Sequence, residues 1–237
     1  DLEKIHFSYD NGLPVLSGIN LCIECNTTVG LVGSTGSGKT TLVDIILGLL
    51  DPKKGSITVD SIKINQNNSQ IWQRKLGYVP QSIFLLDDTI KRNIAFSASG
   101  NQINDERIIE VSKMANLHQY ITTLNDGYNS KVGERGVRLS GGQIQRIGIA
   151  RALYNNPEVL ILDEATSALD GVTENAVMDA IHNLSNKKTI IMIAHRLSTI
   201  KECDVIYFLD KGKIADSGSY NELIKSNQKF KEMSNML

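Results

Sequence analysis

Cysteine, long apolar runs and excess charge are all scarce in this sequence, and each shortage removes a class of protein. Three cysteines in 237 residues, Cys22, Cys25 and Cys203, are too few for a disulfide scaffold and suit a reducing compartment. No apolar run reaches the roughly 18 residues that a membrane-crossing helix needs. The formal net charge of −1 argues against a general nucleic-acid-binding surface. No signal-peptide pattern opens the chain, which starts Asp1-Leu-Glu-Lys4. A start at Asp1 rather than Met reads as that of a piece of a longer protein. Apolar content of 41% is enough to bury one large α/β core or two small ones.

Cys22 and Cys25 have C-x-x-C spacing, but the segment Ile19–Cys25 alternates like a strand. Residues three apart on a strand face opposite ways, and no second C-x-x-C completes a zinc site. Structural thiols are expected there.

What the sequence does have is Gly33-Ser34-Thr35-Gly36-Ser37-Gly38-Lys39-Thr40 between the apolar runs Val29–Val32 and Thr41–Leu50. Strand, glycine loop and helix in that order are the context a phosphate-binding loop requires. Glycines at 33, 36 and 38 let the backbone curl and aim N–H groups at phosphate oxygens, and the following helix adds its positive end. Lys39 brings a mobile positive charge for the β- and γ-phosphates, and the Thr40 hydroxyl is a candidate Mg²⁺ ligand. Thr41 completes the candidate nucleotide-binding set.

Around this loop the pattern predicts an α/β protein with a mostly parallel sheet. Ile5–Tyr9 and Gly18–Cys25 read as strands of an antiparallel layer, joined through the turn signal Asp10-Asn11-Gly12. Tyr9 would share a strand face with Ile5 and Phe7, which makes it a candidate core aromatic. Gly55–Asp60 and Lys75–Pro80 read as further strands, with 61–70 as a polar surface loop. Helical spacing marks 89–96, 105–117 and 142–154, with Asn104 as N-cap of the second. Strands follow at 158–163, 189–195 and 204–209, the last turning through Asp210-Lys211-Gly212 into Lys213–Ala215. Residues 173–184 and 219–235 read as helices. The expected organisation is a single domain over 1–237, with 1–81 and 158–237 as its core and 82–157 as a helical insertion.

Ligands of parallel α/β sheets gather beyond the carboxyl ends of the strands. Four apolar strands here end in nucleotide chemistry: the glycine loop, Gln81, Asp163-Glu164 and His195. Asp163 is suited to orienting a metal ion and its water. Glu164 beside it is suited to taking a proton from an attacking water, though Asp-Glu also caps helices. His195 could hydrogen-bond a γ-phosphate or serve a structural role. Leu139-Ser140-Gly141-Gly142-Gln143 opens another helix, with Ser140 as N-cap and backbone N–H groups left free. It is a second phosphate site, and one nucleotide has no evident need of two.

GSTGSGKT at 33–40, Gln81, LSGGQ at 139–143, ILDEATSALD at 161–170 and His195 occur in the order of the ATP-binding-cassette (ABC) family, which the whole chain resembles. The resemblance implies the family's fold, a P-loop NTPase core with an antiparallel β layer and a helical subdomain. It implies ATP and Mg²⁺ as cofactors and explains the second phosphate site. Two copies pair head to tail, each ATP lying between one copy's glycine loop and the other's Ser140, Gly141, Gly142 and Gln143. It further implies that Tyr9 stacks on adenine and that Gln81 contacts Mg²⁺ and relays to a transport domain. Catalysis would rest on Glu164, His195, Lys39 and Gln81, the metal on Thr40, Gln81 and Asp163, and Ser167–Asp170 would cross the dimer interface.

Gly133-Glu-Arg-Gly136 and Trp72-Gln-Arg74 look similar to exporter cassettes, although the first also reads as a charged turn. Phe84–Asn93 is similar to bacterial flippases for lipid-linked oligosaccharides. The expectation is therefore an ATPase on the cytoplasmic side of the inner (plasma) membrane. It would act as a homodimer fused to membrane helices of the same polypeptide. It would have no nucleic-acid partner and no direct contact with a lipid-linked substrate. Alternatives are a soluble ABC ATPase acting on nucleic acid or ribosomes, an importer cassette, and a non-hydrolysing ATP-gated clamp. The short spacing from Lys39 to Ser140, the absent regulatory extension and the intact Glu164 weigh against these in turn.

Overall fold

A computed structural model describes residues 1–10, 12–98, 103–165, 171–185, 187–194 and 197–235. The chain divides into two compact units, residues 1–76 with 189–237, and residues 77–188. The second contains the segment 82–157 together with 77–81 and 158–188, which the sequence reading assigns to the core.

The first unit opens with antiparallel strands. β1 (Leu2–Phe7) pairs with β2 (Leu16–Leu21) on one side and with β4 (Lys54–Val59) on the other. β1 buries Leu2, Ile5 and Phe7 while its intervening residues face solvent, the alternation of a sheet wet on one face. β2 ends at Leu21, so the expected strand through Cys25 is not formed. Residues 22–27 run into a turn whose Asn26 has φ of 58°, and both Cys22 and Cys25 are exposed free thiols. No metal-binding group of three or more His, Cys, Asp or Glu occurs among the described residues. The expected loop 61–70 is also more ordered than its composition indicates. β5 (Ile62–Lys63) pairs with β4, and α2 (Ser69–Gln73) begins at its end because Trp72 anchors it. The Trp72 indole is buried and donates to the Ile46 carbonyl at 2.7 Å.

β3 (Thr28–Gly33) is central to the unit's other strands, parallel to both β8 (Thr189–Ile193) and β9 (Val205–Asp210). β3 and β8 are buried at every position, which explains their unbroken apolar runs. β10 (Lys213–Gly218) folds back antiparallel to β9, as the Asp-Lys-Gly turn predicts. α1 (Lys39–Ile46) leaves the end of β3 with Leu42, Val43, Ile45 and Ile46 buried. The expected single helix over 219–235 is two, α8 (Tyr220–Ser226) and α9 (Gln228–Asn235). Asn227 breaks it. Its backbone is extended, its amide donates to Asp216 Oδ2 at 3.2 Å, and its Oδ1 accepts from the Phe230 N–H that opens α9.

In the second unit, β6 (Leu76–Val79) lies beside β7 (Val159–Asp163). Between them in sequence come α3 (Ile90–Ile94), α4 (Asp105–Met114), α5 (His118–Thr122) and α6 (Gly141–Tyr154), and α7 (Gly171–His182) follows β7. Asn104 caps α4 as expected, accepting from the Arg107 N–H at 3.0 Å. Asn93, with no exposed surface, ties α3 to the preceding loop. Its amide accepts from Leu86 N and donates to the Leu86 and Thr89 carbonyls. Arg151 of α6 clasps the same place, donating to the carbonyls of Asn93 at 2.8 Å and Phe84 at 2.9 Å.

Candidate nucleotide site

β3 delivers the glycine loop of the first unit into α1. A Cβ on Gly33 would lie 2.2 Å from the Leu209 carbonyl oxygen and 2.7 Å from Ser37 Oγ, so only glycine fits. Gly38 occupies the N-cap of α1 at φ 102°, a left-handed conformation that favours glycine. No side chain caps α1 and no acidic residue occupies its first turn. Its opening N–H groups are therefore left to an incoming anion. Ser34, Thr35 and Gly36 are exposed, as is Thr40. Lys39 is buried, and its Nζ donates to the loop's own carbonyls, Gly33 at 2.7 Å and Ser34 at 3.1 Å. The charge is thus held within the curve of the loop.

Tyr9 departs from the core reading. β1 ends at Phe7, so Tyr9 escapes the alternation and is 52% exposed. Its ring stands edge-on to Phe7 at 5.0 Å between centroids, and its hydroxyl lies 3.1 Å from Thr41 Oγ1. The half-exposed ring is tied by its hydroxyl to the first turn of α1.

The second unit holds the strand-end polar groups. β7 buries Leu160, Ile161 and Leu162 and then presents Asp163 and Glu164, both half-buried. Glu164 has φ of 50°, a left-handed conformation that is costly outside glycine and recurs where geometry serves a site. Its Oε2 accepts from Gln81 Nε2 at 2.7 Å. Asp163 Oδ2 accepts from the Tyr78 hydroxyl at 3.2 Å, a partner the sequence reading missed. The signal was there: Tyr78 stands three residues before Gln81 on the strand that pairs with β7.

Ser140 caps α6 through a capping box. Its Oγ accepts from Gln143 N, and Gln143 Oε1 accepts from Ser140 N at 2.8 Å. The Gln143 side chain is thereby turned back on the cap. Gly141 is exposed, and a Cβ there would meet nothing within 4 Å. His195 and Ser167–Asp170 lie outside the described residues.

A glycine loop closing on its own lysine, before a helix whose first turn carries no competing carboxylate, defines a P-loop nucleotide-binding protein. A family model described as ABC transporter matches residues 16–167, and the chain belongs to that family. It is similar to the heterocyst differentiation ATP-binding protein HepA of Nostoc sp., at 44% identity over 97% of this chain and 38% of that protein. It is equally similar to the ATP-dependent lipid A-core flippase of Saccharophagus degradans, at 44% identity over 94% of this chain and 38% of the flippase. Among solved structures, a bacterial Atm1-family ABC exporter with ATP bound superposes with a TM-score of 0.91. That match has 36% identity and covers 99% of this chain and 41% of the exporter. The chain spans about two-fifths of the length of these relatives. Its fold is that of an ABC ATPase, and it is an ATP-binding, ATP-hydrolysing domain.

Proposed function

We propose that this domain powers export by membrane helices of a longer polypeptide, and that it does so as a homodimer on the cytoplasmic side of the membrane. The observation that carries the proposal is the presence of two helix N-termini suited to phosphate, α1 behind Gly38 and α6 behind Ser140. In this reading one ATP uses both, each supplied by a different copy. Relatives of about two and a half times this length, among them a flippase and an exporter, support the membrane part. No helix among the described residues is long and apolar enough to cross a membrane.

In this reading the N–H groups of Gly33 to Thr40 hold the phosphates, and Lys39 exchanges its two loop carbonyls for phosphate oxygens. Tyr9 offers its exposed ring to adenine, held upright by Phe7 and by Thr41. Ser140, Gly141, Gly142 and Gln143 of the second copy close over the γ-phosphate. The hydroxyl of Thr40 and the oxygens of Gln81 and Asp163 are the hard donors that Mg²⁺ prefers. When bound, Mg²⁺ neutralises charge that develops on the phosphates. Glu164 accepts a proton from the attacking water, and Gln81 fixes the carboxylate in place. His195 completes the set as a hydrogen-bond partner of the γ-phosphate. The similarity to a lipid A-core flippase favours a lipid-linked cargo, handled by the membrane helices rather than by this domain.

The test is the steady-state ATPase rate per chain as a function of chain concentration. A rate that rises with concentration and then saturates is expected of sites built between two copies. A constant rate from a chain that remains monomeric in ATP overturns the dimer.

A further inference from the structure

The tip of the β9–β10 hairpin belongs to the phosphate site. We propose that Gly212 is a positioning residue for the glycine loop, acting through Ser37. The hairpin turns at Lys211 and Gly212, both left-handed, with φ of 47° and 75°. The Gly212 N–H donates to the Ser37 carbonyl at 3.0 Å, and the Gly212 carbonyl accepts from the Ser17 N–H at 2.9 Å. One residue thus joins the glycine loop to β2 of the antiparallel layer by main-chain bonds on its two sides. The fit is close. A Cβ on Gly212 would lie 2.2 Å from the Val15 carbonyl oxygen and 3.0 Å from the Val15 carbonyl carbon. A Cβ on Gly38 would lie 2.7 Å from Leu16 Cδ2 and 3.8 Å from the Gly212 Cα. The loop, the hairpin tip and the start of β2 therefore share one junction, in which backbone blocks a Cβ on Gly212 and a Cβ on Gly38 would displace the Leu16 side chain.

Lys39 braces the start of the loop at the Gly33 and Ser34 carbonyls, and Gly212 braces it at Ser37. Ser37 N donates to Ser34 O within the loop, and its buried Oγ has no hydrogen-bond partner. The carbonyl of Ser37 faces Gly212, which turns the neighbouring peptide dipoles so that their N–H ends point the other way. The β9 strand leading into the tip is itself braced, since Lys229 of α9 pairs with Asp210 and Phe230 stands edge-on to Phe208. The proposal rests on the glycine loop being the phosphate site. It adds that the loop's geometry is imposed from a turn more than 170 residues away in sequence.

Gly212→Ala forces the tip off Val15 and off the loop, because the obstructing atoms are backbone and cannot rotate aside. Gly127→Ala is the control: Gly127 is also left-handed, at φ 50°, but a Cβ there meets nothing within 4 Å. Gly212→Ala is expected to raise KM for ATP about tenfold or more, while Gly127→Ala leaves KM within about twofold. Equal KM values in the two variants overturn the proposal. Amide exchange of the unmodified chain gives a second test that needs no variant to fold. Protection at Gly212 is expected to rise on adding ATP by more than it does across Tyr220–Ser226 of α8. An equal rise at both places overturns the role of Gly212, whereas failure of ATP to protect the loop amides of 34–40 overturns the phosphate site itself.

Discussion

Gln81 and Glu164 are 83 residues apart in sequence, and the amide of one donates to the carboxylate of the other at 2.7 Å. The bond crosses from the loop after β6 to the end of β7, two strands that lie side by side. The bond sets the direction of the carboxylate from a residue that is itself exposed.

Glu164→Gln removes the proposed proton acceptor while preserving shape. Hydrolysis is expected to slow by about 10²–10⁴-fold, the usual worth of a positioned general base. ATP binding persists, and size-exclusion in ATP is expected to show a long-lived dimer. A variant that hydrolyses at the unmodified rate assigns the base elsewhere.

Lys39→Ala empties the curve of the glycine loop of its charge. ATP affinity is expected to collapse, because Lys39 is the buried cation whose Nζ reaches both Gly33 and Ser34 carbonyls. Titration with a fluorescent ATP analogue measures it, and an unchanged dissociation constant excludes the loop as the phosphate site.

Tyr9 separates ring from hydroxyl. Tyr9→Ala is expected to cost roughly 1–3 kcal/mol of nucleotide affinity, the range for stacking a base on an aromatic ring. Tyr9→Phe keeps the ring and loses only the contact with Thr41 Oγ1, so its affinity is expected to stay within about fivefold. If the two variants bind alike, the ring does not stack on the base.

Cys203 differs from the other two cysteines in reactivity. Burial, together with the charges of Asp204 and Glu202, pushes its thiol from an ordinary 9.0 up to about 12. At pH 8 a maleimide reagent is expected to label Cys22 and Cys25, which are exposed, and to spare Cys203 until the chain unfolds. Mass spectrometry of the labelled sites decides it. The sign for stability follows from the same shift. The folded state keeps the proton more tightly than the unfolded state, so this contribution is whole below pH 9 and is lost as pH rises from there toward 12.

Asn93→Leu is expected to destabilise the second unit by about 2–4 kcal/mol. It strands the Leu86 and Thr89 backbone groups and one Arg151 bond in a buried place. Urea denaturation measures the loss, and a change under about 0.5 kcal/mol contradicts the role of Asn93 in tying α3 to its loop.

What the sequence determined by itself is the chemistry that short-range rules encode. Glycines at 33 and 38, the Ser140–Gln143 capping box, the Asn104 cap and the Asp210–Gly212 turn all act within a few residues, where φ, cap geometry and periodicity leave few options. The acidic pair after an unbroken apolar strand was legible for the same reason. Tertiary structure decided the rest. Tyr9 left its strand because the register of β1 against β2 and β4 ends before it, and no local pattern marks that end. The closing helix broke at Asn227 because Asp216, on another element, offered its amide a partner. Tyr78 met Asp163, Gln81 met Glu164, and Gly212 met Ser37 because strand order brings distant turns together. Such pairings are set by how a twisted sheet stacks its strands over a shared core. That ordering belongs to the whole chain, and no window of a few residues contains it.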